Sequence, residues 1–226
     1  MPLAKPSGGL EELVDATSGK EIVATPILVD KYADLKKKYE KFLVTEIYDW
    51  QEWSRKGVKE VLLPSDINLF LQQTREYENH TRYNINTGFF SSQLIQNSYN
   101  AGNNEFELDV TALKLIHNIC FGVSGTEERM VRVVIKGEAG DVCVWNVRNF
   151  TFTIEKAGDW CGFEAQHSTF TIGKAGDNCG REAQFSTFKT NNKDQYEKFK
   201  ESVPQNKENT LYLLSQNGSI LKGGKW

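Results

Sequence analysis

Three cysteines recur at a fixed interval of 18 residues: Cys143, Cys161 and Cys179. Thiolates brought onto one line could hold zinc or copper(I), and His167 lies close to them in sequence. Structural zinc sites, however, draw paired ligands from one tight knuckle such as C-x-x-C, and the chain has none. The cysteines therefore read as small apolar core residues, and neither a metal nor another cofactor is expected. Asp141, Asp159 and Asp177 keep the same interval. Glycine-Asp turns stacked along a parallel helix can bind calcium. Here each turn supplies a single acid, with Lys156 and Lys174 beside it, so the aspartates are expected to bond to the main chain of a turn.

The three histidines, His80, His117 and His167, sit in unrelated contexts, and Phe185 stands one period after His167. No G-x-S-x-G, P-loop, G-x-G-x-x-G or H-E-x-x-H pattern occurs. The sequence thus nominates no catalytic residue, although a site assembled from distant positions stays open.

What must position these residues is a repeat. Phe152 to Thr169 (FTIEKAGDWCGFEAQHST) and Phe170 to Thr187 (FTIGKAGDNCGREAQFST) agree at 14 of 18 positions. Ala139 to Cys143 (AGDVC) aligns one period upstream. A short fixed period is the signature of stacked units that bury their apolar sides on one another. Phe-Thr-Ile alternates as a strand does, Lys-Ala-Gly-Asp reads as a turn, and Cys-Gly with the following Ala suits a tight inward corner. Such a unit is too short for a βαβ crossover and suits one coil of a parallel β-solenoid, with Phe152, Phe170 and Phe188 in one ladder. The left-handed hexapeptide helix is excluded, since stepping by six from Ile154 meets Trp160 and Gln166. A duplicated hairpin meander and a helical unit are the alternatives.

The positions that differ between the copies point outward. Trp160 is exchanged for Asn178, Phe163 for Arg181 and His167 for Phe185, swaps that a close-packed interior resists. Trp160, Phe163 and Phe185 are therefore the candidate binding surface, an aromatic patch of the kind that marks contact sites, unless the N-terminal helix or the C-terminal hairpin covers it.

Around the repeat the expected fold class is α+β. A short parallel β-solenoid-like region is flanked by an aromatic-rich N-terminal helix and a C-terminal helix plus hairpin. Residues 1–20 read as a flexible tail, 21–104 as mainly helical, and 105–226 as β-rich, with repeats at about 134–190; together they are expected to form one compact unit. Asp30 can cap a helix running through Tyr39, Phe42, Trp50 and Trp53 to Gly57. A second helix starts just after Pro64. The Asn/Ser/Gln-rich stretch 84–104 reads as loops around a short helical middle. Strands are expected over 105–110, 113–123 and 130–136, with a turn at Gly125 to Glu128. Asn192 should cap a helix that Pro204 stops, and Asn217-Gly218 should close a type I′ hairpin.

With 27 basic and 30 acidic residues, net −3, no field recruits nucleic acid or an anionic membrane. No apolar run approaches the ~18 residues of a membrane span. The first 20 residues lack the apolar core of a secretory signal, so the expectation is a soluble cytoplasmic protein with reduced thiols. The function read from these features is a non-enzymatic interaction or assembly scaffold, with a protein partner or self-association through the repeat face. The alternative is a small-molecule-binding protein or enzyme with a pocket between the aromatic helix and the sheet.

Overall fold

The computed structural model describes residues 31–46 and 57–225. Backbone contacts divide the chain into Met1–Asp34 and Leu35–Trp226, and the described residues from Leu35 onward belong to the second unit. Trp50 and Trp53 lie outside the described residues.

Among the described residues the fold is α+β, with four α-helices and a seven-stranded sheet in the order β1 to β7. The helices are α1 (Ala33–Leu43), α2 (Pro64–Gln73), α3 (Tyr83–Asn100) and α4 (Lys193–Ser202). The strands are β1 (Glu105–Asp109), β2 (Val131–Ala139), β3 (Phe150–Ala157), β4 (Thr169–Lys174), β5 (Thr187–Thr190), β6 (Thr210–Leu214) and β7 (Ile220–Lys225). Every adjacent pair from β1 to β6 is parallel, and β7 returns antiparallel to β6.

Register follows the period. Thr151, Phe152 and Thr153 pair with Thr169, Phe170 and Thr171, and Phe170 pairs with Phe188. Alternation along each strand buries Phe152, Phe170 and Phe188 completely, so their rings form a continuous column. Centroids lie 6.4 Å apart for Phe152–Phe170 and 4.7 Å for Phe170–Phe188, and Phe199 of α4 closes the column at 5.5 Å. In-register parallel strands about 4.8 Å apart impose this stacking on any repeated side chain.

The segments between strands are laddered too. Isolated parallel bridges join Ser124, Arg148, Gln166 and Gln184 in succession. Here the backbone is neither strand nor helix. Positive φ alternates with negative, at Trp160 (59°), Gly162 (71°) and Glu164 (55°), and again at Asn178 (57°), Gly180 (72°) and Glu182 (62°). The alternation sends amide groups both ways. The N–H groups of Trp160 and Glu164 donate forward to the carbonyls of Asp177 and Arg181, while those of Gly162 and Gln166 donate back to Cys143 and Val147. Phe163 and Ala165 donate locally to Trp160 and Gly162. Buried backbone groups must be paired, and this scheme pairs them without a second regular strand. Residues 113–123, expected as a strand, adopt the same scheme, with positive φ at Asn118, Cys120 and Gly122.

The helices sit at the ends of this stack. Helix α3 presents Asn84, Gly88, Ser92 and Gln96, spaced one turn apart, to the first rung of the ladder. The Asn84 carbonyl accepts the His117 N–H (2.8 Å), Ser92 Oγ accepts the Phe121 N–H (2.9 Å), and Gln96 Oε1 accepts the Ser124 N–H (2.8 Å). A side chain at Gly88 would collide with the His117 carbonyl. The stretch expected to be largely loop is therefore an 18-residue helix, because its hydroxyls and amides are spent capping a backbone edge. On β1, the Asp109 N–H donates to Asn68 Oδ1 (2.8 Å) and its carbonyl accepts from Gln72, both on α2.

Helix α1 stops at Leu43 rather than running towards Gly57. Val44 and Thr45 are β-branched, and Asn86 Nδ2 donates to the carbonyls of Phe42, Leu43 and Thr45, satisfying the helix's last acceptors. Helix α2 begins with Pro64 in its first turn, as expected. Asn192 caps α4 by accepting the N–H groups of Asp194 and Gln195. The β6–β7 hairpin closes differently from the expected type I′ turn. Only Gly218 has positive φ (83°), its N–H reaches the Ser215 carbonyl, and the Ser215 N–H bonds to Ser219. This is a type I turn with a glycine bulge, which needs one left-handed residue rather than two.

Candidate functional site

The chemistry-bearing residues of the repeat fall into columns, and most are engaged with the backbone. Asp159 N–H donates to Asp141 Oδ1 (2.9 Å), and Asp177 N–H donates to Asp159 Oδ1 (2.8 Å). Each carboxylate thus caps the following rung rather than its own turn. His117 takes the first place in this column, its Nδ1 accepting the Asp141 N–H (2.9 Å). An accepting Nδ1 assigns the proton of the neutral imidazole to Nε2. Lys198 of α4 reaches Asp177 Oδ1 (3.3 Å) at the far end.

A second column is built from hydroxyls. Ser168 Oγ accepts the Phe150 N–H, Ser186 Oγ accepts the Ser168 N–H (both 3.2 Å), and Asn209 Oδ1 accepts the Ser186 N–H (3.0 Å). Asn209 is fully buried and its amide also donates to the carbonyls of Ala183 and Pro204, so it ends the column with its polar atoms satisfied.

Cys143, Cys161 and Cys179 are buried free thiols stacked in a third column, and Cys120 lies beside Cys143. The neighbouring Cys143 and Cys179 thiols, reinforced by burial, push the Cys161 thiol well above its ordinary range. Burial, with Cys143 nearby, does the same to Cys120. A neutral buried thiol is a poor nucleophile and a poor ligand. His167 is exposed and stacks on Phe185 instead of joining the cysteines. Among the described residues no group of three or more His, Cys, Asp or Glu side chains is placed to hold a metal ion.

The outward columns are of a different character. Trp160 and Phe163 are half-buried, and Phe185 is 48% exposed. Trp160 and Phe163 touch (centroids 5.3 Å apart), whereas Phe185 pairs with His167 at 4.9 Å with parallel rings. The structure adds three members to the first group. Trp145 lies tilted against Phe163 at 4.2 Å and stacks on Phe121 at 6.1 Å, and the Arg181 guanidinium lies 5.5 Å from the Trp160 ring centroid. Phe121, Trp145, Phe163 and Arg181 are equivalent positions of successive rungs, so they run as one stripe. The period already held this signal: Trp145 lies one repeat before Phe163.

One cavity of about 380 Å³ lies beside α1, between Phe42, the 57–60 segment and Phe90 of α3. Among the described residues, no strand residue lines it. No helix among the described residues is long and apolar enough to cross a membrane. The chain matches no protein-family model, no curated protein and no solved structure.

Proposed function

We propose that the chain is a non-enzymatic interaction scaffold, a short β-solenoid whose outer aromatic stripe engages a protein partner or a second copy of the chain. The observation that carries this reading is the division of labour between columns. Inward and turn positions repeat Phe, Cys, Asp and Ser and are consumed by core packing and by backbone capping. The outward positions of the same rungs vary freely and gather Trp145, Trp160 and Phe163 beside Arg181. Half-exposed aromatics with a guanidinium are the residue types that dominate binding energy at protein interfaces. Capping of both ends of the stack by α3 and by Asn209 with α4 fits a scaffold that ends its own growth and presents a side face.

The test is light scattering over a range of concentrations, on the parent chain and on Trp160→Ser. Association that weakens at least tenfold in Trp160→Ser is the expected result, the loss of a central aromatic anchor being worth about 2 kcal/mol or more. A monomer at every concentration, unchanged by the substitution, removes self-association through this face.

A further inference from the structure

A second concavity, about 550 Å³, opens on the strand face of the repeat and has no counterpart in the aromatic stripe. Its floor is the ends of β3 and β4, with Thr153 and Thr171 side by side in register, and its wall is the β6–β7 hairpin loop carrying Gln216. Glu155, Lys174, Thr190, Asn191, Asn192 and Ser215 complete the polar lining. The hollow has a sequence origin. Gly173 stands where the preceding copy has Glu155, and a side chain there would strike the Glu155 carbonyl. The second copy therefore gives up a side chain at this point, and the notch is left open.

Thr190, Asn192 and Ser215 spend their side-chain oxygens on backbone groups, but the floor of the cleft differs. The Asp and Ser columns are used up on backbone N–H groups. By contrast, among the described residues the hydroxyls of Thr153 and Thr171 make no hydrogen bond, and Glu155 and Lys174 form no ion pair. A hydroxyl donates one hydrogen bond and accepts two, and an amide does both. Two threonines with the Gln216 amide thus offer donors and acceptors in mixed directions on one concave surface, and Asn192, whose Oδ1 already caps α4, adds only its Nδ2 donor; this is the pattern that a ligand bearing several hydroxyls returns. One carboxylate and one ammonium leave the cleft near neutral, with no cation cluster for a phosphate or a dicarboxylate. Among the described residues no aromatic ring lines it to stack a nucleobase, and its size is within the range of small-molecule sites.

We infer that this cleft binds a small neutral saccharide through the Thr153 and Thr171 hydroxyls. The site is separate from the protein-binding reading of the aromatic stripe and does not depend on it.

The experiment is a backbone amide NMR titration of the full chain with glucose, galactose, mannose, maltose and cellobiose, and with inorganic phosphate and glutamate as charged controls. A saturable shift at Thr153, Thr171 and Gly173 with at least one sugar is expected. Thr171→Val keeps the β-branched shape and removes the hydroxyl, so it should weaken that binding about three- to tenfold, as the loss of one neutral hydrogen bond does. Thr169→Val, on the same strand but outside the cleft, should leave it unchanged, which separates a lost contact from a disturbed fold. The inference is overturned if no sugar produces a saturable shift in the cleft, if only phosphate or glutamate does, or if Thr171→Val and Thr169→Val behave alike.

Discussion

Val142 shows how far the ladder overrides local preference. It has φ of 62°, the same left-handed conformation as Trp160 and Asn178 at its equivalent positions. A β-branched residue resists that region, at a cost of roughly 1–2 kcal/mol. The bond from its N–H to the Asp159 carbonyl (2.8 Å) holds it there. Asparagine tolerates left-handed backbone and already occupies this place in the first and last rungs, as Asn118 and Asn178. Val142→Asn should therefore raise stability by about 1 kcal/mol in denaturant titration, and a destabilised variant would show that Val142 contributes more by packing than it loses by strain. Asp159 offers the complementary test. Asp159→Ala leaves the Asp177 N–H without its acceptor and should cost about 1 kcal/mol. Asp159→Asn keeps an oxygen at Oδ1 and should cost much less; equal losses would mean that the negative charge, not the hydrogen bond, matters.

At the scale of elements, the strands were legible and the intervening arcs were not. Phe-Thr-Ile alternation fixes β3 and β4 by a period of two, and Asn192 and Pro204 bracket α4 by capping and breaking rules that act within a few residues. Cys161 to Ala165 carries no such local signal, because its alternating φ exists only when a neighbouring rung supplies partners above and below. Only Gly162 and Gly180 hint at it, and Val144 fills the same place with φ of 50°. Helix α3 misled for a related reason. Its Asn, Ser and Gln residues look like loop formers, yet Ser91, Ser92 and Asn86 are buried and bonded to backbone carbonyls of α3 itself, α1 and the first rung. The outward stripe was partly readable, since residues that differ between copies face out, but Trp145 needed the alignment to be carried one more rung. The cysteine column yields a prediction at this scale. With all four thiols buried, and those of Cys120 and Cys161 pushed up towards the neutral form, a thiol reagent at mildly alkaline pH should leave native protein unmodified and react with all four cysteines once denaturant is added. Rapid modification of native protein at Cys161 would show that the stack opens locally, well below the free energy of global unfolding.

At the scale of the whole molecule, nearest-neighbour pairing makes the rungs exchangeable. Thr151 pairs with Thr169 in parallel register, so deleting 152–169 joins Thr151 to Phe170 at matched points of adjacent strands. Phe170 then takes the place of Phe152 on β2, Cys179 that of Cys161 beside Cys143, and Ser186 that of Ser168 as acceptor for the Phe150 N–H. The Asp177 N–H inherits Asp141 Oδ1 as its acceptor, and the caps from α3 and Asn209 stay in place. At a net stability of roughly 0.05–0.15 kcal/mol per residue, losing one rung should cost on the order of 1–3 kcal/mol. Deleting 152–160 instead joins Thr151 to Cys161. That sets the left-handed arc against the β2 strand, puts turn positions where Phe and Ile should be buried, and displaces every later column. The full-period deletion should therefore melt cooperatively with native-like circular dichroism, and the half-period deletion should not fold. Equal damage from the two would mean that the rungs depend on contacts beyond their neighbours, and would undercut the proposed solenoid scaffold.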